Sequence, residues 1–388
     1  MSLESTPTKI ASQPPVRQDP PAQEEIVDSI YVAPNWKLVW WRFRKHKLAV
    51  ASSFVVILIA LVAIMPGFFS TQDPHKSVAT ELFIPPQRLH FFDEGRLQLF
   101  VYAVEGARNP ETLRMEWQTS TEEKIYLQLF AEGYTYKILG LIETNRHFIG
   151  LEVPESDDSF HLLGTDRLGR DQWSRLMYGT RISLSIGLVS VIISTILGIV
   201  LGGLSGYYGG TTDMLIQRLI ELLQSLPAVP IWLALSAAMP RTWSVEQTYL
   251  AITIILALIG WTTLAREIRS RFLSLRDEDY VVAAKLSGAK ESRVVFRHMI
   301  PTMYSHIIAA VTLAIPVMII SETFLSFLGL GLRPPAISWG VLLQEAQNLQ
   351  SIALASWLLL PGLAVIITVL TMNIIGDGLR DAADPYSH

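Results

Sequence analysis

The segment LAVASSFVVILIALVAIM, residues 48–65, contains 18 residues without a charged side chain and is followed by Pro66 and Gly67. An α-helix of this length is roughly 27 Å long, close to the thickness of the hydrocarbon core of a bilayer. Basic residues precede the segment but do not enter it. The segment therefore predicts a membrane-spanning helix.

Five further apolar segments follow, so we predict six membrane spans in all. The third contains Pro227 and Pro230. The fifth contains His306, Pro316 and Glu322, which makes it the candidate for a broken or partly re-entrant span. The predicted spans are Leu48–Met65, Ile182–Leu204, Leu219–Met239, Thr248–Ala265, Thr302–Leu328 and Ile352–Gly376.

The composition agrees with a polytopic membrane protein. Of 388 residues, 50% are hydrophobic and only 17% are charged, whereas soluble domains carry about 25% charged residues. A net charge of -4 gives no basic excess that would indicate nucleic-acid binding. The chain has no cysteine, which excludes disulfides, thiol chemistry and zinc sites built on thiolates.

Lysine and arginine indicate which side of the membrane each segment faces. Five of them lie between residues 37 and 47, and eight lie in the loop 266–301. Six spans that start in the cytoplasm place this loop and both termini there. Residues 1–34 are polar and proline-rich and lack a signal-peptide core, so we predict a disordered cytoplasmic tail. Residues 35–66 then form a basic flank and the first transmembrane helix.

The long segment between the first two spans has the pattern of β-strands. Aromatic and β-branched residues partly alternate with polar ones, and turn signals such as Asn109-Pro110 separate the runs. We predict a small extracytoplasmic β-rich domain inserted at residues 67–161. The predicted strand segments are RLQLFVYAV (96–104), TLRMEWQT (112–119), KIYLQLFA (124–131) and YTYKILGLI (134–142).

The stretch DEDYVVAAKLSGAKESRVVFRHMIP, residues 277–301, lies in the predicted cytoplasmic loop. On a helix, Ala283, Ala284 and Gly288 form a surface of small residues that another chain could approach closely. Basic side chains surround this surface, and Pro301 is expected to end the element where the next span begins. The pattern fits a mechanical docking element, and it equally fits an ordinary amphipathic loop helix.

This stretch resembles the EAA loop of ABC importer permeases, in which Glu-Ala-Ala is followed at fixed spacing by Gly and by Ile-x-Leu-Pro. Ala283-Ala284, Gly288 and Pro301 match that spacing, while Val282 replaces the glutamate and His298 replaces the isoleucine. The ending Arg297–Pro301 resembles the dipeptide and oligopeptide branch. Further stretches resembling that branch occur in order at residues 162–184, 321–340 and 373–385.

The resemblance implies an all-α type I ABC importer permease fold with six transmembrane helices, interrupted by the β-rich insertion. It points to the second, C-type permease of peptide-uptake systems, in a bacterial inner membrane. Residues 162–388 would form the permease core with five further spans. The ATPase-docking residues it implies are Ala283, Ala284, Gly288, His298 and Pro301.

The implied partners are a second, homologous permease, two cytoplasmic ATPases and an extracytoplasmic solute-binding protein, in addition to membrane lipid. The chain itself is expected not to be an enzyme and to need no cofactor or metal. Its nearest trace of a phosphate-binding loop, Gly288-Ala289-Lys290, lacks the upstream glycine and the Ser/Thr of a P-loop. ATP hydrolysis would therefore occur in the partner subunits.

Three residues are candidates for the path or its gate. Glu322 fits a pore-lining acid, and it fits a helix-capping or inter-subunit hydrogen bond equally well. Pro316 fits a gating kink or an ordinary packing kink. Asp166 lies in the turn GTDRLGRD, which fits either ligand contact or a cap on an interfacial helix.

The sequence leaves other functions open. An ion-coupled secondary transporter would need buried ionisable residues at mid-membrane and often an inverted repeat. A membrane-anchored receptor or assembly protein would work through its β-domain alone. Within the importer family, peptides are the expected solute, and nickel, glutathione or oligosaccharides are the alternatives.

Overall fold

The computed structural model describes residues 35–108, 110, 115–153 and 158–383. The predicted tail at residues 1–34 lies outside this range. The helices are α1 (Asn35–Lys45), α2 (Lys47–Ile64), α3 (Pro66–Phe69), α4 (Gln172–Tyr208), α5 (Gly210–Ser225), α6 (Ala228–Ala237), α7 (Val245–Leu275), α8 (Asp279–Leu286), α9 (Glu291–Arg293), α10 (Tyr304–Phe327), α11 (Trp339–Glu345), α12 (Leu349–Leu354) and α13 (Leu360–Ala383). A π-helix (Val294–Met299) and two 3-10 helices (Ile300–Met303 and Ser356–Leu359) complete the helical elements of the described residues.

The described helices provide five or six membrane spans. Five are long and apolar enough to cross a bilayer by themselves: Lys47–Ile64, Gln172–Tyr208, Val245–Leu275, Glu291–Phe327 and Ser356–Ala383. Helices α5 and α6 pass the same criteria only as a pair, and they are bent by 83° where they meet. The sixth span is therefore complete only if this bent pair is counted as one.

The broken span is the third, so our expectation that the fifth would be broken is wrong. Helix α5 stops before Leu226, which has an extended backbone because it precedes Pro227. Helix α6 restarts directly after Pro227. In contrast, Pro316 lies buried inside α10, and that helix continues through it. Neighbouring helices commonly allow a proline to be accommodated within a span in this way.

The predicted β-rich insertion is a four-stranded antiparallel sheet with the strand order β1-β2-β3-β4. Its strands are β1 (His90–Asp93), β2 (Arg96–Arg108), β3 (Met115–Ile138) and β4 (Ile142–Leu151). Val101, Ile125, Leu127 and Phe160 form its core. The last three predicted segments were divided wrongly, because β3 runs unbroken from Met115 to Ile138 and the turn falls within the apolar run 134–142, at Gly140.

Helices α4 and α7 pack closely along a line of small residues on α4, which we call the seam: Ser190, Ser194, Gly198, Gly202 and Gly206. The two serine hydroxyls donate to the carbonyl oxygens of Thr253 (3.2 Å) and Ala257 (3.1 Å) on α7.

Further along the seam, a Cβ atom at Gly202 would overlap the carbonyl oxygen of Ala265. A Cβ at Gly206 would lie 2.5 Å from the Cβ of Phe272. The four-residue spacing keeps these positions on one face of α4, so that the two backbones can approach each other.

The sheet and the loop after α7 lie at opposite ends of the helical bundle. At the sheet end, Arg181 of α4 donates to the carbonyl oxygens of Ala63 (2.9 Å) and Ile64 (2.6 Å) at the end of α2. At the other end, Gly378 of α13 packs against Ala49 near the start of α2. The described chain ends are therefore on the same side as the loop, as the predicted topology requires.

Candidate functional site

The loop between α7 and α10 begins with α8, and the backbone around Gly288 closes this helix. The N–H of Gly288 donates to Lys285 (3.0 Å), and the N–H of Ala289 donates to Ala284 (3.1 Å). These two bonds form a Schellman motif, which needs a residue of positive φ just past the helix. Gly288 supplies that conformation with φ of 78°. The residue type is thus required by the backbone, independently of any docking role.

Helix α8 has one buried and one exposed face. Val281 is fully buried among Phe272, Val294 and Met299, and Ala284 packs half-buried against the same cluster. The exposed face forms what we call the docking patch, made of Val282, Ala283, Leu286 and Gly288. Leu286 is 84% exposed. Ala283 and Gly288 are therefore exposed, whereas Ala284 lies on the opposite, core-facing side of the helix.

Leu286 and Val282 are functional candidates that the motif comparison missed. Their spacing of four residues places both on one helical face. An exposed apolar pair on a loop outside the candidate spans is a candidate contact surface for another protein. Periodicity could have revealed the pair, because Val281 and Val282 are adjacent and only one of them can face the core.

Side-chain contacts attach this loop to α4, and a further ion pair joins α7 to α5. The ammonium of Lys285 lies 5.1 Å from the ring centre of Tyr207, and the Tyr208 hydroxyl donates to Glu291 (2.8 Å). Nearby, Arg269 of α7 donates to both carboxylate oxygens of Asp213 on α5, at 2.5 and 2.6 Å. A displacement of the loop would therefore act directly on the end of α4.

His298 and Pro301 lie where the loop passes into α10. The expectation that Pro301 ends the element is wrong, because the helical run continues from Glu291 to Phe327. A π-helix over Val294–Met299 gives way to a 3-10 helix, and Pro301 occupies its first turn, where its missing N–H is tolerated. His298 is half-buried on the π-helix.

A cleft of about 660 Å³ opens at the same end of the bundle, between α7, α10 and α13. Charged side chains of both signs line it. Glu267 and the imidazole of His306 form a pair at 3.1 Å, and Arg271 and Arg380 lie on the walls. The three predicted path residues, Glu322, Pro316 and Asp166, do not line this cleft.

Asp166 belongs to a buried ion-pair cluster at the sheet end. Its carboxylate accepts from the Arg170 Nε at 2.7 Å and lies 3.1 Å from the Arg175 Nη1. Arg170 also donates to Glu345 of α11 (2.5 Å), so that two acids and two arginines balance each other. The pKa of the Glu345 carboxyl is raised above its ordinary value, first by burial and then by the charge of Asp166, and the two arginines offset part of this rise. The cluster fastens the start of α4 to α11.

Glu322 is fully buried and lies at the junction of α10 with α4. Its carboxylate accepts hydrogen bonds from Ser183 (3.0 Å) and Ser326 (2.8 Å). The same Ser183 oxygen accepts from the backbone N–H of Trp339, at the start of α11. Glu322 thus connects three helices within this chain, and in this conformation it has no exposed surface.

A third polar group, centred on His161, joins the segments that flank the sheet to the start of α4. The imidazole lies 3.0 Å from Asp171 and 3.2 Å from Glu81. Asp171 caps α4 by accepting from the backbone N–H of Ser174 (2.8 Å). Burial alone would lower the pKa of His161, but hydrogen bonds to both carboxylates, and their charges, raise it to about 9. Burial opposes ionisation of Glu81, yet bonds from His161 and Ser159 lower its pKa.

Known proteins agree with this architecture. The family model of the binding-protein-dependent transport system inner membrane component matches residues 198–386. The model of the N-terminal TM domain of oligopeptide transport permease C matches residues 35–86. Most of the β-rich insertion therefore lies outside both matches.

Similar proteins are permeases by name. The dipeptide transport system permease protein DppC of Bacillus subtilis is 37% identical over 235 residues, which cover 60% of this chain and 70% of that protein. The oligopeptide transport system permease protein OppC of the same organism is 34% identical over 262 residues, 67% of this chain and 80% of that protein. The glutathione transport system permease protein GsiD of Pectobacterium atrosepticum is 36% identical over 259 residues, 67% of this chain and 84% of that protein.

The spans, the attached loop and these matches define a membrane-embedded transport subunit. More particularly, the chain belongs to the family of binding-protein-dependent transport system inner membrane components. The resemblance of the loop and of the three further stretches to the permease family is thereby confirmed.

The raised pKa of His161 predicts a pH-dependent stability. From its ordinary value of 6.5 the pKa rises to about 9 in the folded chain. The stabilisation is therefore complete below about pH 6.5 and is lost as the pH rises through about 9. We expect the thermal midpoint of the detergent-solubilised chain to fall over this window. His161→Gln should flatten the fall, whereas His75→Gln, at an exposed position, should leave it unchanged. An equal slope in the His161→Gln variant would contradict this assignment.

Proposed function

We propose that the chain forms half of the translocation path of an ATP-driven importer for peptides. The docking patch carries this proposal, because an exposed apolar surface outside the spans is attached to α4 and α7, which reach the other end of the bundle. The names of the similar dipeptide and oligopeptide permeases support peptides as the solute. Glutathione, itself a tripeptide, is the second candidate, since a glutathione permease is similarly close.

The partners follow from this assignment. Two cytoplasmic ATPases bind the docking patches of this chain and of a second, homologous permease, and an extracytoplasmic binding protein delivers the solute. The loop 266–301 faces the cytoplasm, as do both termini, and the insertion 67–161 faces outward. The high density of lysine and arginine in the loop supports this orientation, as does the position of the sheet at the opposite end of the bundle.

Motion of the ATPases would reach the path through direct contacts. A push on α8 acts on Val281, which packs against Phe272 of α7. The seam then carries the displacement to α4. At the sheet end, the start of α4 is tied to α11 through Asp166 and Glu322. These two residues therefore hold the outer ends of the helices together, and Pro316 lies on α10 between Glu322 and the loop.

The cleft between α7, α10 and α13 is the proposed cytoplasmic part of the path. A zwitterionic peptide carries an ammonium at one end and a carboxylate at the other. Glu267 offers a partner to the first, and Arg271 and Arg380 offer partners to the second. The cleft is open and its side chains are widely spread, which suits weak binding of solutes that differ in sequence. Selectivity then resides in the binding protein.

The docking role is tested by Ala283→Glu in the assembled transporter. Ala283 is exposed and helical, so the substitution leaves the Gly288 turn and the Val281 core intact. We expect most of the co-purifying ATPase and most of the uptake to be lost, because a charged side chain would be forced against the ATPase surface. Ala107→Glu, at an exposed alanine of β2, is the matched control and should behave as wild type. Normal ATPase binding in the Ala283→Glu variant would remove the docking argument.

The solute class is tested with vesicles that contain the reconstituted complex and its cognate binding protein. Labelled di- to oligopeptides should accumulate in an ATP-dependent manner, and unlabelled peptides should compete. Glutathione, a nickel chelate and an oligosaccharide serve as alternative competitors. If the binding protein ignores peptides but binds one of these tightly, the peptide assignment is wrong, while membership in the transport family is unaffected.

A further inference from the structure

We propose that the tip of the β3–β4 hairpin, residues 139–142, enters the outer part of the lipid bilayer beside the first span. This surface is separate from the docking patch and the cleft. The proposal requires only that the chain is embedded in a membrane, and it holds whichever solute is carried.

The tip is apolar and exposed. Leu139, Leu141 and Ile142 are 61%, 84% and 65% exposed. Lys137 and Glu143 bound the run and are cross-strand partners. The end of the hairpin is thus uncharged, and a charged pair lies between this end and the rest of the sheet. This arrangement is expected where a polypeptide passes from lipid headgroups into hydrocarbon.

The turn itself contains an unusual residue. Leu139 has φ of 50° and Gly140 has φ of 75°, and the N–H of Leu141 donates to the carbonyl of Ile138 (2.9 Å). The loop between the paired residues Ile138 and Ile142 has three residues. A β-turn with positive φ at both central positions favours Asn, Asp or Gly there, because a β-carbon is disfavoured and a short polar side chain is tolerated. Leucine at this position adds exposed apolar area to a strained backbone. The exposed apolar area is accounted for if the turn is surrounded by lipid.

Contacts of the same hairpin place it at the height of the membrane boundary. The ring of Tyr136 packs on Gly67, three residues beyond the end of α2. The hydroxyl groups of Tyr134 and Tyr178 lie 3.2 Å apart, and Tyr178 is one turn from Arg181, which binds the last turn of α2.

The strand runs toward the membrane end as it approaches the turn. Leu127, which is nearer the start of β3 than Tyr136, packs beside Phe160 in the sheet core. The Phe160 carbonyl accepts from Gln72, which is farther along the chain from the end of α2 than Gly67 is. From Tyr136 the chain continues through the end of β3 at Ile138 to Leu139 in the turn, which extends the hairpin by about 10 Å. The tip therefore extends past the level of the last residues of the first span and into the bilayer side.

Lipid is the favoured occupant because the apolar surface of the hairpin continues the exposed surface of α2. That span leaves Phe54, Ile57 and Leu61 on its outside. Phe68 carries this surface onward, with its ring 6.1 Å from that of Phe130 and 5.9 Å from that of Phe148. Phe130 and Phe148 belong to β3 and β4, so one apolar band extends from the span to the hairpin.

The absence of native cysteine makes a direct test possible. The variant L141C is labelled with a bimane fluorophore, and the complex is reconstituted into nanodiscs with and without doxyl-labelled phosphatidylcholine. We expect doxyl lipid to remove most of the fluorescence, as it should for L58C on the exposed face of α2. A107C, at the far end of the sheet, should keep its fluorescence.

Two outcomes would overturn the proposal. In the first, doxyl lipid leaves the fluorescence of L141C unchanged. This includes the case in which a quencher-labelled binding protein reduces the fluorescence and doxyl lipid does not. The second is unchanged lipid quenching when Leu139→Asn and Ile142→Ser are added to L141C. Asparagine suits the turn, so these changes preserve the hairpin but should reduce its insertion and therefore the quenching.

Discussion

The close approach of α4 to α7 is the contact on which the rest of the membrane core depends. In a bilayer no hydrophobic effect draws two helices together, so packing and hydrogen bonds must hold them. Glycine at Gly198, Gly202 and Gly206 lets the backbones meet, and serine at Ser190 and Ser194 adds hydrogen bonds to α7. One face of α4 thus supplies both kinds of interaction over most of the thickness of the membrane.

This pair of helices connects features that lie at opposite ends of the molecule. The docking patch follows α7, while the groups around Asp166 and His161 surround the start of α4. The buried carboxylates at that end have partners within the chain, supplied by arginine, serine or histidine, as burial of charge in a medium of low polarity demands. The polar side chains therefore fix the outer ends of the helices, and the more open, charged cleft lies at the loop end.

The sequence predicted most of the helical core, because an uncharged apolar run of about 18 residues or more is typical of a membrane span. It also predicted a sheet between the first two spans. The position of the break was predicted wrongly, since Pro227 and Pro316 look alike in sequence and only their neighbours decide which helix is interrupted. Similarly, the motif identified Gly288, but its positive φ and the outward position of Leu286 depend on how α8 packs. The partners of Asp166 and Glu322 are distant in sequence, so those roles could not be predicted.

The central claim, that the core depends on the seam, is tested most directly by the thermal midpoints of two neighbouring variants of the solubilised chain. Gly202→Ala would force a Cβ against the backbone of Ala265, whereas Gly203→Ala would meet the Phe272 ring at an ordinary distance of 3.5 Å. Overpacking costs about 1–3 kcal/mol, so we expect Gly202→Ala to lower the midpoint by several degrees and Gly203→Ala to leave it unchanged or slightly raised. Equal midpoints for the two variants would contradict the account.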